Sequence, residues 1–146
     1  GTHKYSLLFS ANADQQMQPV EKVASGGERN RLMLALKSLF VRGKGLETIL
    51  FDEIDSGVSG STAAKVAEMF SSMGKHSQVI AITHLPQVAA AGSNHWRVDK
   101  YLDRGNSRTG LINLEGEERV EEVARLLAGK SMSEAALAQA KFLLKN

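Results

Sequence analysis

Two short, uninterrupted apolar runs constrain the fold of this chain more than any other feature. They are Thr48 to Phe51 and Val79 to Ile82, and such runs are typical of parallel strands buried on both faces. Between them lies a segment with apolar residues at helical spacing, which starts at a possible N-cap, Ser61, and stops at Gly74. The pattern predicts a right-handed βαβ unit within a largely parallel sheet flanked by helices.

Further elements are predicted on both sides of this unit. They are a strand over Tyr5–Ser10, a polar loop from Ala11 to Gln18, a helix over Arg29–Val41, a short helix after Pro86, a hairpin of Trp96–Val98 with Gly110–Leu114 joined through Arg104-Gly105-Asn106, and two C-terminal helices. The second of these helices is expected to begin at a capping box of Ser131 and Glu134 and to end near Leu144. We predict an α/β fold and a single domain over residues 1–146.

Composition excludes several classes of protein. The chain has 146 residues, of which 42% are apolar, so it can bury a core. The formal net charge of +2 is too small to indicate a nucleic-acid or membrane partner, and the absence of cysteine excludes a thiol nucleophile, a disulfide framework and a cysteine zinc site. No apolar run approaches a membrane span and the N-terminus lacks a signal-peptide core, so we expect a cytosolic globular protein.

Polar side chains follow both apolar runs directly. Asp52 and Glu53 come after the first run, and Thr83 and His84 come after the second. Ligands bind beyond the carboxyl ends of parallel strands, where one acid could hold a hydrated Mg²⁺ and the next could orient an attacking water. On these residues alone, a solvated strand end is an equally open interpretation of Asp52 and Glu53, and a lone histidine such as His84 is more often a loop or capping residue.

Two glycine-containing segments are further candidates. Ser25-Gly26-Gly27-Glu28 precedes a helix, where backbone N–H groups and the helix dipole favour an anion. The other segment is the small-residue turn from Ser56 to Gly60. Taken singly, each is also compatible with an ordinary helix-entry turn or a flexible turn.

The order of these motifs is more specific than any one of them. In succession the chain has Val23-Ala24-Ser25-Gly26-Gly27-Glu28, a helix, Phe51-Asp52-Glu53-Ile54-Asp55-Ser56-Gly57-Val58-Ser59-Gly60, a helix, and Thr83-His84-Leu85-Pro86-Gln87-Val88-Ala89. This succession resembles the C-terminal lobe of an ABC-type ATPase head, and within that superfamily the SMC-like DNA-repair ATPases. The resemblance extends from the Leu8 strand to the final helix.

The resemblance implies a role for each motif. The signature motif, which contacts ATP bound to the opposite subunit, would comprise Ser25, Gly26, Gly27 and Glu28. Asp52 would support Mg²⁺, Glu53 would polarise the hydrolytic water, and His84 would be the switch histidine near the γ-phosphate. The D-loop across the dimer interface would include Asp55, Ser56, Gly57 and Ser59. Ser59 stands where many members have aspartate, which favours the DNA-repair branch over a transporter subunit, and Arg29 also departs from the wider pattern.

The phosphate-binding P-loop, G-x-x-x-x-G-K-[ST], does not occur in the sequence. We therefore expect a C-terminal half-head whose partners are the P-loop-bearing N-terminal half of the same protein, a second head in a homodimer and, by resemblance only, DNA in the bacterial cytoplasm and nucleoid. Such a half-head should expose an apolar sheet face and be inactive alone. Two alternatives stay open, namely a catalytically silent interaction domain and a Toprim-like nuclease or phosphotransferase built on Asp52, Glu53 and Asp55.

Overall fold

The computed structural model describes residues 2–3, 5–10, 14–22, 26–44 (without the side chains of 42–44), 46–52, 55, 57–58, 60–129 and 132–145. The chain divides into two compact units. The first unit comprises residues 1–59 and 73–82, and the second comprises 60–72 and 83–146. No helix in the described part of the chain is both long and apolar enough to cross a membrane.

The first unit contains the elements that carry most of the predicted site. β1 (Leu8–Phe9) pairs antiparallel with β2 (Gln18–Pro19), and a single 3₁₀ turn follows. The long helix α1 (Gly26–Lys44) begins earlier than predicted, directly at the glycines of the signature-like motif. β2 was predicted as loop, because Gln18 and Pro19 carry no strand signal.

The predicted parallel strand pair is confirmed. β3 (Thr48–Phe51) and β4 (Gln78–Ala81) are parallel and in register, and α2 (Ser61–Gly74) joins them along the chain. The ladder is extended at both ends, since Gln78 N–H donates to the Glu47 carbonyl over 2.7 Å and Ile82 N–H donates to the Phe51 carbonyl over 2.8 Å. β3 and α2 have the predicted bounds.

The prediction of a largely parallel sheet buried on both faces is wrong for this chain. Its described residues form three two-stranded sheets, of which only β3–β4 is parallel. Phe51, on one face of the pair, is only 1% exposed, whereas Leu50, Ile80 and Ile82 on the opposite face are 53%, 45% and 55% exposed. The apolar runs specify two-sided burial, but the described part of the chain covers one side. This confirms the expected exposed apolar sheet face.

The second unit contains most of α2 and, after β4, a hairpin and three more helices. The elements after β4 are α3 (Pro86–Ala91), β5 (His95–Asp103), β6 (Asn106–Leu114), α4 (Gly116–Ala128) and α5 (Glu134–Lys145). The antiparallel hairpin β5–β6 is confirmed and is longer than predicted. Its two-residue turn, Arg104-Gly105, has positive φ at both positions, as the twist of a tight hairpin requires.

Small side chains pack the three helices together. Ala90 of α3, Val123 and Ala124 of α4, and Ala136 and Ala140 of α5 form one buried cluster. The cap of α5 differs from the predicted one: Ser133 Oγ accepts a hydrogen bond from Ala136 N–H at 3.2 Å, and the helix begins at Glu134. The predicted cap, Ser131, lies outside the described residues.

Candidate functional site

The start of α1 lies directly against the turn that follows β3. A Cβ atom at Gly57 would lie 2.5 Å from the Cα of Gly27, and one at Gly27 would lie 3.1 Å from the Cα of Gly57. Real Cβ atoms do not approach a backbone atom as closely as the first of these distances, so the two backbones touch in a way that only glycine allows. Gly57 also has φ of +74°, in the left-handed region that favours glycine.

A side chain of α1 fixes the same contact. Arg31 Nη1 donates a hydrogen bond to the Gly57 carbonyl at 3.1 Å. Within the turn, Val58 N–H donates to the Asp55 carbonyl at 3.2 Å, and the Val58 side chain is buried. The signature-like motif and the D-loop-like turn are therefore neighbours within the first unit.

Asp52 stands at the end of a firmly held strand. It is exposed and follows the buried Phe51, whose carbonyl is bonded by Ile82 N–H. Lys37 Nζ of α1 lies 5.0 Å from the centre of the Phe51 ring, a cation–π contact that ties the helix to this strand. An exposed carboxylate on a rigid strand end has the oxygen chemistry that Mg²⁺ requires. The described residues contain no group of three side chains that could hold a metal by themselves.

His84 belongs to the second unit. It is exposed and lies between Thr83, whose Oγ1 accepts a hydrogen bond from Leu85 N–H at 3.0 Å, and the buried Leu85. Pro86 then starts α3 at a position where its missing N–H costs nothing. The local geometry presents the imidazole on a short, well-fixed segment.

The other end of α3 is held by one arginine. Arg119 of α4 donates to the carbonyls of Ala90 at 3.0 Å and Ser93 at 3.5 Å, and also to that of Gly92. The Ala90 carbonyl is one that the end of α3 leaves without an intrahelical partner, and Gly92 and Ser93 follow the helix directly. Arg119 therefore caps the helix that begins after His84.

Sequence reasoning missed an ion network around the buried Glu122 in the second unit. Glu122 is only 5% exposed and accepts hydrogen bonds from Arg125, with 2.9 Å between Nε and Oε2, while Arg97 lies 3.6 Å away. The Arg125 hydrogen bond lowers the pKa of Glu122, against the opposing effect of burial. Burial and, secondly, Arg119 lower the pKa of His95. The one available signal was the helical spacing of Glu122 and Arg125.

The structure thus brings together part of the predicted site. Gly26, Gly27 and Glu28 occupy the first turn of α1, Gly57 touches Gly27, and Asp52 and Asp55 lie in the same unit. His84 lies in the other unit. Four predicted site residues fall outside the described residues: Ser25, Glu53, Ser56 and Ser59.

Comparison with known proteins identifies the fold. A structure published on "ATP-driven dimerization and DNA stimulated activation of SMC ATPases" matches 82% of this chain and 71% of its own, with a TM-score of 0.59 and 23% identity. The Smc head domain with a coiled coil and joint derived from Pyrococcus yayanosii matches 74% of this chain and 20% of its own, with a TM-score of 0.62 and 25% identity. No family model matches. The chain has the fold of an SMC ATPase head.

The chain also has curated sequence relatives that bear one name. The chain is 41% identical to the DNA repair protein RecN of Vibrio cholerae over 144 residues, and also 41% identical to RecN of Bacillus subtilis over 145 residues. RecN of Deinococcus radiodurans is 43% identical over 138 residues. The chain is homologous to RecN over nearly its whole length, and it spans about a quarter of the length of these relatives, 24% to 26%.

Proposed function

We propose that this chain is the C-terminal half of the ATPase head of a RecN-like DNA double-strand-break repair protein. The complete protein would hydrolyse ATP to ADP and phosphate. The observation that carries the proposal is the contact between Gly27 and Gly57, because it joins two segments to which the ABC pattern gives one nucleotide interface. Homology to RecN over 99% of the chain supports it independently.

The chemistry would be the transfer of the γ-phosphoryl group to water. Glu53, directly after Asp52, would orient the water and accept its proton as the new P–O bond forms and the bond to the β-phosphate oxygen breaks. Asp52 would hold Mg²⁺, which when bound neutralises charge on the β- and γ-phosphates. His84 would donate a hydrogen bond to the γ-phosphate.

The signature motif would act on ATP held by a second head. The start of α1 carries the positive end of the helix dipole, which favours an anion, and Ser25 would add a hydroxyl donor. A Cβ added at Gly26 would meet nothing within 4 Å, so this side of the helix start is open. Together with Asp55, Ser56, Gly57 and Ser59 of the D-loop, it would form the homodimer interface.

The P-loop-bearing N-terminal half of the same protein would complete the nucleotide site. The exposed apolar face formed by Leu50, Ile80 and Ile82 supports this, because burying such a face is favourable by about 25 cal/mol per Å². ATP would close two heads around each other, and its hydrolysis would separate them. By homology to RecN the protein would act on DNA in the bacterial cytoplasm.

A single substitution tests the proposed hydrolysis. In the complete protein, Glu53→Gln is expected to abolish Mg²⁺-dependent ATP hydrolysis while ATP binding persists. The matched control is Glu47→Gln, which changes an exposed glutamate at the opposite end of the same strand and leaves intact its backbone bond to Gln78. Full activity of Glu53→Gln would contradict the proposal and favour the silent interaction domain. Mg²⁺-dependent DNA cleavage lost with Glu53 would favour the Toprim-like alternative.

A further inference from the structure

We propose that Arg31 is a positioning residue that holds the D-loop turn against the start of α1, so that both segments reach the second head as one rigid unit. The hydrogen bond from Arg31 to the Gly57 carbonyl is called the latch below. In this hydrogen bond Arg31 Nη1 donates to the Gly57 carbonyl at 3.1 Å. The same Nη1 lies 3.4 Å from where a Cβ on Gly27 would stand, so the guanidinium packs over the point where the two glycines meet. The inference rests on the proposed function of both segments.

The conformation of the turn after β3 depends on Gly57. Val58 N–H donates to the Asp55 carbonyl, and Gly57 between them is exposed and left-handed. A glycine-containing turn of this kind has many accessible conformations in isolation. The Gly27 contact excludes those that move Gly57 towards α1, and the Arg31 hydrogen bond opposes those that move it away.

Helix α1 is itself fixed, which makes it a suitable anchor. Lys37, further along the helix, contacts the Phe51 ring, and Phe51 ends the strand that leads into the turn. Leu34 and Val41 of the same helix are buried. The turn is therefore restrained at its start by β3 and at Gly57 by α1. Arg31 provides the hydrogen bond between α1 and Gly57.

Hydrogen exchange and kinetics together test the latch. In Arg31→Gln, amide exchange over residues 55–58 is expected to accelerate about fivefold, while exchange in α5 stays unchanged. In the complete protein the same variant should lower the kcat for ATP hydrolysis about 3- to 10-fold with KM within about twofold of the original value, because the nucleotide half-site on the P-loop side is untouched. Arg31→Lys, which keeps a donor and the charge, should restore part of both losses.

The controls separate this latch from charge and from the proposed function. Arg104→Gln removes the same charge from the exposed hairpin turn and is expected to change neither readout. Unchanged exchange over 55–58 in Arg31→Gln would overturn the latch, and so would faster exchange with unchanged kcat. If the complete protein shows no Glu53-dependent ATP hydrolysis, the proposed function is wrong, and so is the role of Arg31 in it. Faster exchange over residues 55–58 in Arg31→Gln would still show in that case that the contact between Arg31 and the turn exists.

Discussion

The backbone contact between Gly27 and Gly57 predicts an unusually large cost for a single methyl group. In Gly57→Ala the new Cβ would stand 2.5 Å from the Gly27 Cα, and φ would remain +74°. A left-handed alanine costs about 1–2 kcal/mol. The clash involves backbone on both sides, so the turn must move off α1 and lose the Arg31 hydrogen bond, which adds about 0.5–1.5 kcal/mol. We expect a total destabilisation of about 2–3 kcal/mol.

Gly60→Ala provides a matched control for this prediction. Gly60 has φ of +53°, so alanine there pays the same conformational cost, but its Cβ would meet nothing within 4 Å. Urea unfolding of each variant, followed by circular dichroism, gives the two losses in the free energy of unfolding. Gly57→Ala should lose about 1 kcal/mol more than Gly60→Ala. Equal losses would refute the close approach of the two glycines.

Three further predictions concern other parts of the chain. Folding lowers the pKa of Glu122, so its contribution to the free energy of unfolding is complete above the ordinary pKa of 4.5 and is lost as the pH falls through the folded value. Glu122→Gln should therefore make the urea midpoint fall less steeply between about pH 6 and about pH 3. An unchanged slope would contradict this assignment. Because the apolar face of β3–β4 is exposed, we expect the chain in isolation to self-associate; Ile80→Thr should weaken this association in sedimentation without unfolding the chain, and unaltered association would exclude the β3–β4 face as the contact. Gly26→Ala should leave unfolding unaffected and still reduce ATP hydrolysis by the complete protein, whereas normal hydrolysis would remove Gly26 from the nucleotide interface.

The sequence predicts well those elements that local signals define. β3 and α2 have their predicted bounds, because an apolar run between polar residues and a helix between Ser61 and Gly74 are both marked at their ends. The parallel pairing also followed from the βαβ pattern. β2 was not predicted. Gln18 and Pro19 carry no strand signal of their own, and they form a strand because they pair with Leu8 and Phe9 of β1.

Long-range features could not be read from the sequence. The motifs marked Gly27 and Gly57 separately, but their mutual approach depends on how α1 packs beside the end of β3. The Arg97–Glu122–Arg125 network joins a strand to a helix and has no sequence pattern beyond the spacing within α4. The apolar runs predict that β3 and β4 are buried on both faces. Such runs indicate that a face is covered, but they do not indicate which part of a protein covers it.

The proposed function requires one head to supply Glu53 and the other head to supply the signature motif to the same ATP. Mixing two complete proteins tests this requirement, one carrying Glu53→Gln and the other carrying Ser25→Arg, each inactive alone. In a mixed dimer one site pairs both defects and the other site has none, so random mixing should restore about a quarter of the unsubstituted rate. If the mixed dimer forms and hydrolysis does not recover, the signature motif does not act on ATP held by the other head.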